Sequence, residues 1–284
     1  MYDAATASEI GKTAPAMQRV RGTARVAFAD TAGQTRLKDL FQSGSAKVRL
    51  PKIYGEPATA VLINTAGGLT GGDRMDYDIA IGEDAHAIVT TQTAERAYRS
   101  LGTSAEVTGQ LSVGAEATLE WLPQETILFE NSSVSRRITA DLTGSARLLV
   151  LESVVLGRAA MGEQLTRVFF KDSWRIRRDG KLVFADDLRL NGDPSDFFSG
   201  PATGQGAKAM ATLLDCAPDA EDRLENARSC LEGASSGSVQ AAASAWNGHL
   251  ILRFVATDSR ALRLSLMAFL ETYRSARLPR VWYC

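Results

Sequence analysis

A chain of 284 residues with 45% apolar and 23% charged side chains can bury a substantial core without a disulfide or a structural metal. Its formal net charge of −1 excludes the positive field of a nucleic-acid binder and the charge bias of a polyelectrolyte partner. The three cysteines, Cys216, Cys230 and Cys284, show no framework spacing and fit a reducing, cytoplasmic setting, and no apolar run reaches the ~20 residues of a membrane helix.

Residues 1–16 carry Asp3 and Glu9 and lack the apolar stretch of a signal peptide. They are expected to form a disordered lead-in to one domain spanning 17–284. Short β-branched or alternating runs follow at 20–28, 59–63, 75–81, 86–91 and 116–122, most of them bounded by Gly, Asp or Pro. Residues 76–81 alternate polar and apolar, the pattern of a half-buried strand. Residues 147–156 are almost continuous in Leu and Val, which predicts a strand covered on both faces. Asp179-Gly180 and Asn247-Gly248 sit between strand-like runs and predict type I′ hairpin turns. Helix enters late. Asp219 is read as the N-cap of a helix ending at Leu231, with Gly233 beyond it. Asp258 or Ser259 caps a second helix to about Ala276, with Leu262, Leu266, Phe269, Leu270 and Tyr273 on one stripe. The Ser/Ala-rich residues 234–243 between them read as a loop. Strands first and helices last predict a mainly β fold: an all-β body of many short strands, its sheets stacked sandwich- or helix-like, with a few α-helices near the C-terminus.

Glycines 67, 68, 71 and 72 lie within Asn64-Thr-Ala-Gly-Gly-Leu-Thr-Gly-Gly-Asp73. The segment lacks the Lys-Ser/Thr of a phosphate loop and ends on Asp73, which would repel a phosphate. Gly67, Gly68, Gly71 and Gly72 are therefore read as structural turns or a backbone-lined passage. His86 and His249 are the only histidines, and no Cys/His pair has metal-ligand spacing, so a tight metal site is not expected. No Gly-x-Ser-x-Gly elbow exists, and Ser195 stands in a turn sequence, so no catalytic residue is assigned. The basic run of Arg175, Arg177, Arg178 and Lys181 reads as a solvated strand face. Glu152 is the exception among many solvated carboxylates, because it interrupts an apolar run where a charge is costly. Two readings stand open: a pair with a buried arginine, for which Arg158 is a candidate, or the lining of a polar channel.

Several ordered segments together resemble the UreD (UreH) family of urease accessory proteins. They are the glycine-rich segment 64–73; Thr90-Thr-Gln-Thr-Ala-Glu-Arg-Ala-Tyr-Arg-Ser100; Leu119-Glu-Trp-Leu-Pro-Gln-Glu-Thr-Ile-Leu-Phe129; Leu156-Gly-Arg-Ala-Ala-Met-Gly-Glu163; and Leu278-Pro-Arg-Val-Trp282. Departures are mild: Arg96 stands where many relatives carry Lys, and Tyr283 and Cys284 extend the tail.

The resemblance implies a mostly β chaperone without an active site or a tightly bound cofactor. It binds a UreF-like protein, which recruits the GTPase UreG. The assembly docks on apo-urease and delivers nickel in transit through an internal passage. Such a conduit needs weak, scattered oxygen donors. Asp73, Thr90, Thr91, Glu125, Glu130, Glu152 and Glu163 are the candidate polar lining. No nucleic-acid or membrane partner is expected. Two other functions are weighed beside this one: a hydrolase or transferase using the glycine loop and carboxylates, and a plain β-rich interaction module.

Overall fold

A computed structural model describes residues 18–52, 55–158, 161–234 and 237–284. The lead-in expected over 1–16 lies outside the described residues.

Two sheets are built alternately. The smaller has a parallel run of β1 (Arg21–Asp30), β5 (Arg74–Ile81), β8 (Ala105–Val113), β11 (Ser133–Leu142) and β13 (Val168–Arg178). Antiparallel β2 (Thr35–Gly44) and β14 (Lys181–Gly192) close its edges. The larger has parallel β4 (Ala58–Asn64), β6 (His86–Thr91), β9 (Thr118–Leu122) and β12 (Arg147–Leu156). Antiparallel β3 (Ala46–Arg49) flanks one side; β15 (Ala209–Cys216), β17 (His249–Ala256) and β16 (Val239–Trp246) extend the other. Short β7 (Glu95–Ala97) and β10 (Thr126–Leu128) pair beside the end of β12. From β4 to β13 the chain passes from one sheet to the other at each long strand, so successive turns stack as in a solenoid.

The mainly β expectation and its helix-like stacking are met. Parallel neighbours arise because each turn returns the chain in the same direction beside the last strand of its own sheet. The run 86–91 coincides with β6 and 147–156 with β12, which is buried on both faces. One core lies between the sheets; the other lies between the outer face of the larger sheet and the helices α2 (Leu224–Ala234) and α3 (Ser259–Arg274). The predicted stripe of α3 is buried, and Asp258 caps it by accepting from the Ala261 N–H. Both hairpin turns have positive φ at each central residue: 50° and 78° at Asp179-Gly180, 51° and 75° at Asn247-Gly248.

Three expectations are corrected. The strand predicted from Glu116 starts at Thr118, because Glu116 turns with φ 54°. Asp219 caps no helix; it pairs with Arg147 at 2.9 Å and Arg223 at 3.3 Å, a short 3-10 turn Glu221–Arg223 intervenes, and Gly233 lies inside α2. Most of the predicted loop 234–243 is ordered structure: Ala234 ends α2, and β16 begins at Val239. Its small residues pack on the sheet, where Val239 and Ala243 are buried, so composition alone misread a strand.

The glycine-rich segment is turn structure. Gly67, Gly68 and Gly72 have φ of 76°, 152° and 89°. A Cβ at Gly71 would stand 2.1 Å from the Thr103 carbonyl oxygen, so only glycine fits there. Asp73 ties the turn: its carboxylate accepts from the Thr70 and Val20 amides, both at 2.8 Å.

Candidate functional site

Strand alternation decides what enters the space between the sheets. On β12, Leu148, Val150 and Val154 face the inter-sheet core, and Glu152 has the same phase. On β11 the inward series is Val134, Arg136, Ile138; on β13 it is Phe170, Asp172, Trp174. Arg136, Glu152 and Asp172 thereby meet in the interior, each buried.

The Arg136 guanidinium forks onto Asp172, donating from Nε at 3.0 Å and Nη2 at 2.7 Å. Its Nη1 donates to Glu152 and, at 3.3 Å, to the Thr126 hydroxyl. The other Glu152 oxygen accepts from the Trp121 indole at 2.9 Å. The guanidinium also lies over the Phe170 ring, 5.3 Å from its centroid. One cation thus faces two carboxylates. Burial pushes the Glu152 carboxyl up to about 7; Arg136 and the Trp121 indole oppose that rise, and the Asp172 charge adds to it.

The cluster borders a cavity of about 60 Å³, lined on its apolar side by Leu62, Leu69, Met75 and Tyr77. Thr91, Glu95 and Gln124 complete its polar side. A surface pocket of about 230 Å³ adjoins it, formed by Asn64, Gly67 and residues 91–96. Leu62, Tyr77, Thr91 and Glu95 line both spaces. Glu95, half-buried at this junction, accepts from the Asn64 amide at 3.2 Å. Burial pushes its carboxyl up to about 7, against the hydrogen bond from Asn64.

Of the residues singled out from the sequence, Thr91 and Glu152 line this cavity. The other five lie elsewhere. Asp73 serves the glycine turn. Thr90 points to the helix side, where its hydroxyl accepts from the buried Trp282 indole at 3.2 Å. Glu125 pairs with Arg263 of α3 at 2.9 Å. Glu130 accepts from the Thr166 amide and hydroxyl, both at 2.7 Å. Glu163 pairs with Arg158 at 2.9 Å and is held below the usual carboxylate range by it. The arginine expected for Glu152 is therefore Arg136, and Arg158 serves Glu163. Arg158 cannot do both, because it lies on an exposed loop past the end of β12.

Sequence reading missed Arg136, Asp172, Glu95 and Thr126. For the first two a signal existed: each sits at the apolar phase of an alternating strand, where a charge demands a partner. Glu95 and Thr126 lie in three-residue strands, too short for a phase. His86 hydrogen-bonds Glu120 at 2.8 Å. Glu120 also accepts from Arg274 of α3; although burial opposes it, these two partners hold the Glu120 carboxyl below its ordinary value. Among the described residues no group of three or more His, Cys, Asp or Glu side chains could hold a metal ion.

Comparison with known proteins agrees with the reading of the motifs. A family model described as UreD urease accessory protein matches residues 20–283. A protein named urease accessory protein UreD 2 from Methylorubrum populi is 45% identical over 280 residues, 97% of this chain and 94% of that protein. Urease accessory protein UreD from Rhizobium rhizogenes is 45% identical over 266 residues, 93% of this chain and 96% of its own length. UreD 1 from Methylobacterium radiotolerans is 47% identical over 272 residues, covering 95% of this chain and 94% of itself. With a family match across nearly the whole described chain and relatives of this similarity and length, the chain belongs to the UreD family of urease accessory proteins, which serve urease maturation and are not themselves enzymes.

Proposed function

We propose that this chain is the scaffold of a urease-maturation assembly and that nickel, the cargo, crosses it through a polar passage. In this reading it docks on apo-urease with a UreF-like partner, and a UreG-like GTPase supplies the nucleotide hydrolysis. The supporting observation is the junction at Glu95 and Thr91, which line both the pocket beside Asn64 and the cavity bordered by Glu152.

The chemistry suits transit. A conduit must admit an ion and release it, so isolated oxygen donors serve better than a closed ligand cage. A cavity of about 60 Å³ has room for a few waters, since one water needs roughly 10–15 Å³ of such space. A carboxyl whose pKa lies near 7 is part-protonated at neutral pH. An entering cation displaces that proton, and its departure lets the proton return. No helix is long and apolar enough to cross a membrane among the described residues.

The test is urease activation with purified partners, using Glu95→Gln and Glu152→Gln, with complex assembly followed by size exclusion. Both substitutions keep shape and remove charge. A normal complex with lowered nickel loading is the expected result. Full activation by both variants within a normal complex would take these carboxylates off the ion path and leave the Arg136 cluster a purely structural device.

A further inference from the structure

We infer that the end of the smaller sheet carries a second, separate site, a pocket that binds a small phosphate-like oxyanion. The pocket, of about 450 Å³, lies where β8, β11 and β13 begin and β14 ends. Its polar lining includes Ser100, Ser104, Asn131, Ser132, Ser133, Arg167 and Asn191, and among the described residues no carboxylate lines it.

Three observations point to an anion. First, the Arg167 guanidinium is exposed and has no ion-pair partner among the described residues. Glu130, the adjoining acid, is taken up by Thr166 and by the Asn131 amide. Second, Ser132 is only 2% exposed, yet its hydroxyl has no hydrogen-bond partner among the described residues. A buried hydroxyl in a pocket wall without a partner is a donor that rotation about its Cα–Cβ bond would turn toward a ligand oxygen. Third, Ser104 and Ser133 are held together at 2.8 Å, so their hydroxyls present a fixed pair. A fork of guanidinium donors beside the Ser132 hydroxyl and the one proton left free by the Ser104–Ser133 pair, with no competing acid in the lining, matches the oxygens of a tetrahedral oxyanion and would reject a cation. The pocket adjoins the glycine turn, whose Gly72 amide donates to the Ser104 carbonyl at 3.0 Å, and its own polar lining is of side-chain donors and not a phosphate loop.

The source of the oxyanion is either a free inorganic ion or a phosphoryl group carried on a nucleotide. Titration calorimetry of the full-length protein with inorganic phosphate and, separately, with a nucleoside triphosphate at low ionic strength distinguishes them. Arg167→Gln and Asn191→Asp change exposed residues and leave the fold intact. Each should weaken binding about tenfold or more, the loss of one charge-assisted contact or the gain of one repulsion. Ser132→Ala should weaken binding while leaving thermal stability unchanged or higher. Saturable binding of phosphate that these variants lose supports a free-ion site. Binding of the triphosphate alone, lost in the same variants, supports a phosphoryl group on a larger molecule. No saturable binding of either probe, or equal binding by Arg167→Gln, overturns the proposal.

Discussion

Replacing Glu152 with Gln tests the interior cluster at its weakest point. Arg136 carries one positive charge, and Glu152 with Asp172 carries two negative ones, so the fully ionised cluster holds a net charge of −1 out of water. The Glu152 carboxyl responds by moving from its ordinary 4.5 up to about 7, first because of burial. In the unfolded chain the same group ionises near 4.5. The folded state therefore binds more protons than the unfolded state across that window, and stability must fall as pH rises through it. Each pH unit of the window is worth about 1.4 kcal/mol, so ionising Glu152 costs the fold at most about 3.5 kcal/mol by pH 8. Gln resembles the protonated acid in size and can still accept from Trp121 or Arg136, and it has nothing to ionise. Urea unfolding of both proteins from about pH 5 to pH 8, followed by tryptophan fluorescence, measures the difference directly. Other titrating groups, Glu95 included, cancel in the comparison. The wild type should lose ground to Glu152→Gln as pH rises, by about 2–3 kcal/mol at pH 8. Parallel curves, or a Gln variant that is less stable at pH 8, would show that Arg136 fully compensates both carboxylates and that the reasoning from net charge is wrong.

Arg136→Met removes the only cation of the cluster and leaves two buried carboxylates facing each other, which should destabilise by about 3–5 kcal/mol at neutral pH. Acidification should recover part of that loss as the carboxylates protonate; denaturant midpoints at pH 5 and pH 8 check both statements. Leu266→Asp places an unpaired charge in the core beneath α3, where Leu266 is 2% exposed. It should cost at least about 3 kcal/mol, read as a lower melting temperature or loss of soluble protein. An unchanged melting temperature would mean that this stripe does not hold the helix to the sheet.

What the sequence determined by itself was local. Alternation and β-branched runs placed β6 and β12 to the residue, because a side chain's face depends only on its parity along the strand. Asp-Gly and Asn-Gly set the hairpins, since positive φ is a property of the turn residues themselves. The cap and stripe of α3 likewise lie within one helix. Ordered motifs sufficed for the family. What only the tertiary structure decided was partnership. Arg136 meets Glu152 sixteen residues on and Asp172 thirty-six on because β11, β12 and β13 stack in successive turns on opposite and adjacent strands. Parity says that each charge points inward, but not which one it will face, for that depends on the register between sheets. Glu95 gained its raised pKa from burial in the assembled layers, against the Asn64 hydrogen bond, and Thr90 met Trp282 only when the end of the chain folded back on the larger sheet. Burial and opposition across the core are properties of the assembled layers, and no window along the chain contains them.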